Sequence, residues 1–334
     1  MRALSLLVAV IVLGGCATLG VDRPTVARAG GGVVVGESDD FVVVVPSRTE
    51  HPDSLARTYL GDASKGWMIE DFNGGRRVFK AGERVVVPKR PWNVSGVAPT
   101  GYQLVPILVY HNLGAQSKGR LVLGADAFAE QMRYLKREGY RVVTLTEFVD
   151  WLRLKRQLPR KSVVLTFDDG YHAFRVYAYP VLKKLGFSAT LFVYTDYVGA
   201  GRNALSWDEL KSLAAEGFDV QAHSKTHADL RRASGETDAQ YARRMQAELA
   251  EPPRLFERQL GRGVQFLAYP YGRVDDAVLA RVREQGYAAA FTVRRESNPS
   301  FVRPLEINRS QIYSEMTLEQ FARNLNLFHQ ENLR

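Results

Sequence analysis

Val163-Val164-Leu165-Thr166-Phe167 runs directly into Asp168-Asp169-Gly170, a strand-like apolar stretch that ends on two carboxylates and a turn glycine. The same layout recurs three times. Phe218-Asp219-Val220-Gln221-Ala222 runs into His223-Ser224 and on to His227, Phe266-Leu267-Ala268 into Tyr269-Pro270-Tyr271-Gly272, and Ile107-Leu108-Val109 into Tyr110-His111-Asn112. Other strand-like segments cover residues 141–143, 189–193, 288–293 and 305–312. Helical periodicity marks 125–138, 146–155, 207–216, 237–260 and 275–285. This alternation over residues 102–334 predicts an α/β domain, a mostly parallel sheet covered by helices and closed or nearly closed into a barrel. Strand C-termini of a parallel barrel share one mouth, so the four polar clusters are expected to converge there.

Upstream of that domain, residues 89–101, with Pro91, Gly96 and Pro99, read as a linker. Residues 41–88 carry a strand at 41–45, helices at 53–60 and 67–72, and a closing strand at 83–87, which predicts a small α+β module. Residues 16–40, with Gly30-Gly31-Gly32, suit a tether. Residues 1–15 read as an export signal: Met1-Arg2 supplies positive charge, and the apolar run at 3–13 falls short of the ~20 residues that a spanning helix requires. Cys16 is the only cysteine, which excludes a disulfide within the chain. The composition, 46% hydrophobic and 24% charged, is that of a folded protein. The net charge of +9 is spread without a dense basic tract, which argues against nucleic acid as a partner and leaves attraction to an anionic polymer or membrane surface open.

Adjacent carboxylates at a strand end repel one another unless a positive group sits beside them. A metal would resolve the conflict. His223 and His227, four residues apart, can present both imidazoles on one side, and with one carboxylate they make a two-histidine, one-carboxylate site with room for water. Such a metal polarises a carbonyl and acidifies water, and the carboxylate left off the metal can take the water's proton. Three of the six histidines fall in the strand-end clusters; His51 and His172 lie elsewhere, and His329 reads as a surface residue of a C-terminal helix.

Thr166-Phe167-Asp168-Asp169-Gly170 and His223-Ser224-Lys225-Thr226-His227 resemble the first two motifs of the NodB-type polysaccharide deacetylases, carbohydrate esterase family 4, whose fold is an irregular (β/α) barrel. The resemblance spans residues 105–312. It implies Asp168 as general base, Asp169, His223 and His227 as ligands of a divalent metal, expected to be zinc, and Ser224 as a hydrogen-bond partner that fixes the loop. It also implies that the backbone N–H of Tyr271 holds the oxyanion. Two departures stand out. Ala268 occupies the place of the arginine that opens the family's third motif, with Arg309 as the candidate substitute cation. No acid histidine follows the last strand, but His111 lies at the N-terminal side, an order similar to the circularly permuted deacetylases of poly-N-acetylglucosamine exopolysaccharide, where such a histidine is the acid. Tyr171, Tyr269, Tyr271 and Trp207 are candidates to stack on sugar rings, Trp207 being the more readily explained as core.

Two further resemblances set the expected location. Leu13-Gly14-Gly15-Cys16 resembles a bacterial lipobox, implying a lipid on Cys16 and a protein anchored to a membrane of the cell envelope, facing the periplasm or wall. Ser54-Leu55-Ala56, Gly61-Asp62, Ile69 with Phe72-Asn73, and Ala81-Gly82-Glu83 are similar to a LysM module, which implies binding to peptidoglycan; an unrelated α+β module is the alternative. Taken together, the expected activity is metal-dependent de-N-acetylation of an N-acetylglucosamine-containing polysaccharide, with release of acetate. The competing expectation is a lipid-tethered, catalytically impaired glycan-binding protein, suggested by the missing motif arginine.

Overall fold

The structure, a computed structural model, describes residues 27–28 and 32–333. The export signal and the lipobox with Cys16 lie outside the described residues. The chain divides into two compact units, Met1–Lys89 and Arg90–Arg334.

The first unit is an antiparallel sheet in the order β1 (Ala27–Arg28), β2 (Gly32–Glu37), β3 (Phe41–Pro46), β4 (Val85–Pro88), with two helices, α1 (Pro52–Leu60) and α2 (Gly66–Phe72), inserted between its last two strands. Alternate valines, Val42 and Val44 on β3 and Val85 and Val87 on β4, bury against Leu55, Ala56, Ile69 and Phe79. Asn73 ties α2 to β4, its side chain donating to Val86 O at 2.7 Å and accepting from Val86 N–H at 3.1 Å. The strand-helix-helix-strand order expected for 41–88 is present. The tether expected to reach residue 40 is not, because β2 pairs along β3 and so belongs to the folded unit.

The second unit is built on an eight-stranded parallel sheet, seven strands of it in the order β10-β9-β8-β7-β6-β5-β11: β5 (Ile107–Tyr110), β6 (Ser162–Asp169), β7 (Thr190–Val193), β8 (Asp219–Ala222), β9 (Phe266–Ala268), β10 (Ala289–Phe291) and β11 (Ser310–Gln311), with Arg141–Val142 paired off this path to the start of β6. The sheet curls until its edges meet. Ile307 N–H donates to Ala290 O at 3.0 Å and Thr292 N–H to Ile307 O at 2.8 Å, so the chain just before β11 seals the seam against β10. Side chains alternate across the wall. Ile107, Val164, Phe192, Phe266, Ala268, Phe291 and Ile307 share one core cluster, while Leu108, Val163, Leu165, Phe167, Leu191 and Val220 pack in another with the helices. Those helices are α3 (Ala125–Arg137), α4 (Leu145–Leu152), α5 (Tyr179–Leu185), α6 (Trp207–Ala215), α7 (Asp238–Leu260), α8 (Asp276–Glu284) and α9 (Leu318–Ala322). Thr144, Ser206, Thr237 and Thr317 cap four of them in reciprocal capping boxes, which fixes their starts.

Two sequence expectations change here. The linker assigned to 89–101 is folded at its end: residues Val97–Ala98 and Gly101–Gln103 pair, and Phe328–Gln330 adds a third antiparallel strand. His329 therefore sits in a strand and not in a helix, its ring stacked on Tyr102 at 4.8 Å. Among the described residues no helix is long and apolar enough to cross a membrane.

Candidate active site

Register brings the polar clusters to one level. Asp169 is paired with Val193, Val193 with Ala222, Ala222 with Leu267, and Phe167 with Tyr110. His111 and His223, each just beyond its pair, and Tyr269, two residues beyond Leu267, therefore follow their strands at the same end of the barrel as the two aspartates.

Asp168 is buried at the end of β6, and burial alone would raise its carboxyl. Arg309 outweighs that. Its guanidinium meets both carboxylate oxygens at 2.7 Å and holds Asp168 at about 2. Arg309 is itself fully buried and fixed by Nε to Thr292 O at 3.0 Å and by Nη1 to Thr166 Oγ1 at 3.2 Å. The cation that Ala268 cannot supply thus comes from the seam strand. Ala268 instead offers its carbonyl to His223 Nδ1 at 2.8 Å.

Asp169 stands in the opposite state. Burial, with the neighbouring charge of Asp168 added, raises its carboxyl to about 6 despite the counteracting His111. Its Oδ1 is buried and has no hydrogen-bond partner, yet His227 Nε2 lies 3.4 Å and His223 Nε2 3.6 Å from it. The bond from His223 Nδ1–H to Ala268 leaves Nε2 as a free lone pair, and burial depresses the imidazole to about 4, so it is neutral. His227 is lowered as well, again by burial first. One atom from each of Asp169, His223 and His227 lies within 4.8 Å of the others. An orphaned carboxylate oxygen facing two imidazole lone pairs is the donor set that a divalent metal satisfies, so the three residues fit the implied ion.

The backbone around these groups is strained. Asp169 (φ 73°), Ser224 (φ 68°), His227 (φ 63°) and Tyr271 (φ 59°) are four of the five non-glycine residues with positive φ among the described residues. Each such residue costs on the order of 1–3 kcal/mol, which the surroundings must offset, and strain of this kind concentrates where side chains are aimed for function. The supports are visible. Ser224 Oγ accepts from His227 N–H at 3.0 Å, as expected of a loop-fixing partner. Glu248, buried on α7, accepts from the N–H groups of Lys225 and Thr226 at 3.0 Å each and from the Thr226 hydroxyl at 2.6 Å. In the Tyr271 turn, Gly272 N–H bonds Tyr269 O and Arg273 N–H bonds Pro270 O, a set that omits the N–H of Tyr271. Gly272 is required there, because a Cβ would come within 2.6 Å of Val293 N.

His111 follows β5 at the same mouth, half-buried, with Nδ1 buried and unpartnered. Tyr171, Tyr194 and Tyr197 wall one side. Tyr194 stacks on Tyr197 at 5.1 Å, Tyr171 meets Tyr197 edge-on at 5.7 Å, and Tyr194 lies 5.2 Å from His227. Tyr271, 56% exposed, stands 4.7 Å from His227. Two of the proposed sugar platforms do not serve. Tyr269 is buried with its hydroxyl on Leu305 O at 2.9 Å, and Trp207 packs edge-on against Phe256 at 5.5 Å. Tyr194, Tyr197 and Glu248 were not singled out from sequence. The two tyrosines follow an apolar strand, the signal used for the other clusters; Glu248 carries no such signal in its helix.

Residues 155–290 match the family model for polysaccharide deacetylases. The Bacillus subtilis protein YxkH, whose name puts it among the polysaccharide deacetylases, is 31% identical over 188 residues, 56% of this chain and 64% of that protein. A poly-beta-1,6-N-acetyl-D-glucosamine N-deacetylase of Staphylococcus epidermidis is 28% identical over 179 residues, 51% of this chain and 61% of that protein. The chain thus spans less than two thirds of the length of these relatives. The solved structure of the Streptococcus pyogenes deacetylase PplD in complex with acetate superposes with a TM-score of 0.61 at 27% identity, covering 68% of this chain and 100% of that one. On this fold, these side chains and these likenesses, residues 155–290 match the polysaccharide deacetylase model and the second unit is similar in fold to solved NodB-type deacetylases.

Proposed function

We propose that the protein is a metal-dependent hydrolase that removes acetyl groups from an N-acetylglucosamine-containing polysaccharide. The observation that carries this reading is the pairing of two unlike aspartates: Asp168 held ionised by Arg309, and Asp169 with an open oxygen facing His223 and His227. Asp169, His223 and His227 would hold a divalent ion, zinc by the chemistry of the donors, which when bound polarises the acetamide carbonyl and acidifies water. Asp168 takes a proton from the attacking water; each carboxylate oxygen keeps a lone pair beyond the one facing Arg309. The water oxygen bonds to the acetamide carbon, and the Tyr271 N–H donates to the resulting oxyanion. His111 gives a proton to the nitrogen as the C–N bond breaks, so acetate and a free amine leave.

The likeness to the Staphylococcus enzyme and the N-terminal position of His111 favour a poly-N-acetylglucosamine exopolysaccharide as substrate. The first unit, with its LysM-like order of elements, would hold the enzyme on peptidoglycan, and the lipobox sequence supports a lipid on Cys16 in the cell envelope. Incubation with both glycans, reading freed amines, tests substrate and activity together. Chelation should abolish amine release and zinc or cobalt restore it; full activity in metal-free protein overturns the proposed site. The alternative of an impaired binding protein rested on the missing motif arginine, and Arg309 on Asp168 removes that support.

A further inference from the structure

On the flank of the second unit, between residues 294–303 and the chain that follows β11, lies a cavity of about 1190 Å³ that shares no residue with the metal triad. Its floor is the strand that seals the barrel. Side chains alternate there, so that Arg309 points in to Asp168 while Asn308 and Ser310 line the cavity. Asn308 is only 8% exposed; its Nδ2 donates to Glu296 at 3.3 Å, and its Oδ1 has no hydrogen-bond partner. A buried acceptor left open costs free energy that a donor on a ligand would recover. At one end Tyr102 and Phe301 meet edge to face at 5.0 Å, and Phe301 is 62% exposed. At the other, Tyr313 lies under Arg120 at 4.1 Å.

Charge narrows the occupant. The three arginines of the lining are engaged: Arg295 with Asn324 and the Gln311 carbonyl, Arg303 with Glu306, and Arg323 with Glu319. What remains is exposed aromatic surface, a buried acceptor, neutral polar groups and two carboxylates, Glu296 beside Asn308 and Glu315 paired with Arg120; against these mixed charges the aromatic faces and the open acceptor favour a neutral ligand with apolar faces and a hydroxyl or amide rim. We propose that this cavity is a second glycan-binding groove, which holds part of the polysaccharide chain away from the sugar being deacetylated. The assignment rests on the polysaccharide reading above.

The test uses full-length protein and Phe301→Ala, an exposed position whose loss leaves the fold intact, with Phe301→Tyr as the rescue. In the alanine variant, KM on long N-acetylglucosamine polymer should rise by about fivefold or more, with kcat and all parameters on the disaccharide unchanged, and Phe301→Tyr should restore it. Titration with N-acetylglucosamine hexamer should show the same loss of affinity, with little change between roughly 50 and 500 mM salt. Unaltered KM and affinity overturn the groove, and steep salt dependence overturns it in favour of anion capture by the arginines. The two readings fail separately. Phe301-dependent hexamer binding by a protein inactive on every glycan would sink the deacetylase and keep the groove, whereas an active enzyme indifferent to Phe301→Ala would do the reverse.

Discussion

All four hydrogen bonds donated by the Arg309 guanidinium stay inside the barrel, two of them on Asp168. Removing one partner of such a buried pair leaves an uncompensated charge, at a cost of about 3–5 kcal/mol. Arg309→Ala should therefore lower the melting temperature by on the order of 10 °C and reduce turnover at least 100-fold, whereas Asp168→Asn should cost turnover while leaving bound metal unchanged. Calorimetry, metal analysis and amine release on the same preparations check both. His111→Ala separates acid from scaffold: metal content should hold while the rate falls on the order of 100-fold, the loss typical of a missing general acid. Near-normal turnover in a folded, metal-loaded variant would remove His111 from the mechanism. The candidate metal cluster was legible in sequence because two carboxylates after an apolar strand need a cation, and two imidazoles four residues apart can supply a metal's other donors; which aspartate faces the imidazoles came only from the family resemblance. Arg309 emerged only as a candidate, because nothing in its local sequence says that it faces the inside of a barrel sealed by the strand beside it.

At the level of elements, the loop from His223 to His227 owes its shape to a helix that contributes no ligand. Glu248 on α7 accepts three hydrogen bonds from that loop, and without them two N–H groups would lack protein partners. Glu248→Ala should weaken zinc binding by about 10–100-fold, the range for residues that orient ligands from behind. Glu248→Gln can still accept both N–H bonds and donate to the Thr226 hydroxyl, so it should restore most of the affinity. Competition with a chromogenic chelator on the metal-free protein measures this without reference to activity, and equal losses in both variants would mean that the charge, and not the geometry, matters. Five helices of the second unit were legible from their period, with ends shifted by one to three residues; Tyr179–Leu185 and Leu318–Ala322 were not read, and the helix expected around His329 is a strand. The short strands were not: Gly101–Gln103 and Phe328–Gln330 pair with each other across more than 200 residues of chain, Val97–Ala98 joins them only by pairing with Gly101 and Tyr102, and no local pattern records the distant partner.

For the whole molecule, the two units carry separate cores: no residue of the first unit's apolar cluster recurs in the clusters of the second. A fragment of residues 90–334 should fold alone and keep its turnover on soluble oligomers, while losing retention on insoluble peptidoglycan. A fragment that aggregates, or that retains full wall binding, would contradict this division of labour. Cys16→Ser should release the protein from the membrane fraction with turnover unchanged, and continued membrane association would count against a lipid anchor. The sealing strand has one more consequence, which concerns time. The carboxylate of Asp168 and the guanidinium that neutralises it are 141 residues apart in the chain, so during synthesis the aspartate is made long before its counter-ion. A polypeptide interrupted anywhere in that interval has a broken barrel and an unpaired acid at its centre. A chain that stops short of Arg309 is therefore expected to lack the paired aspartate on which the proposed reaction depends.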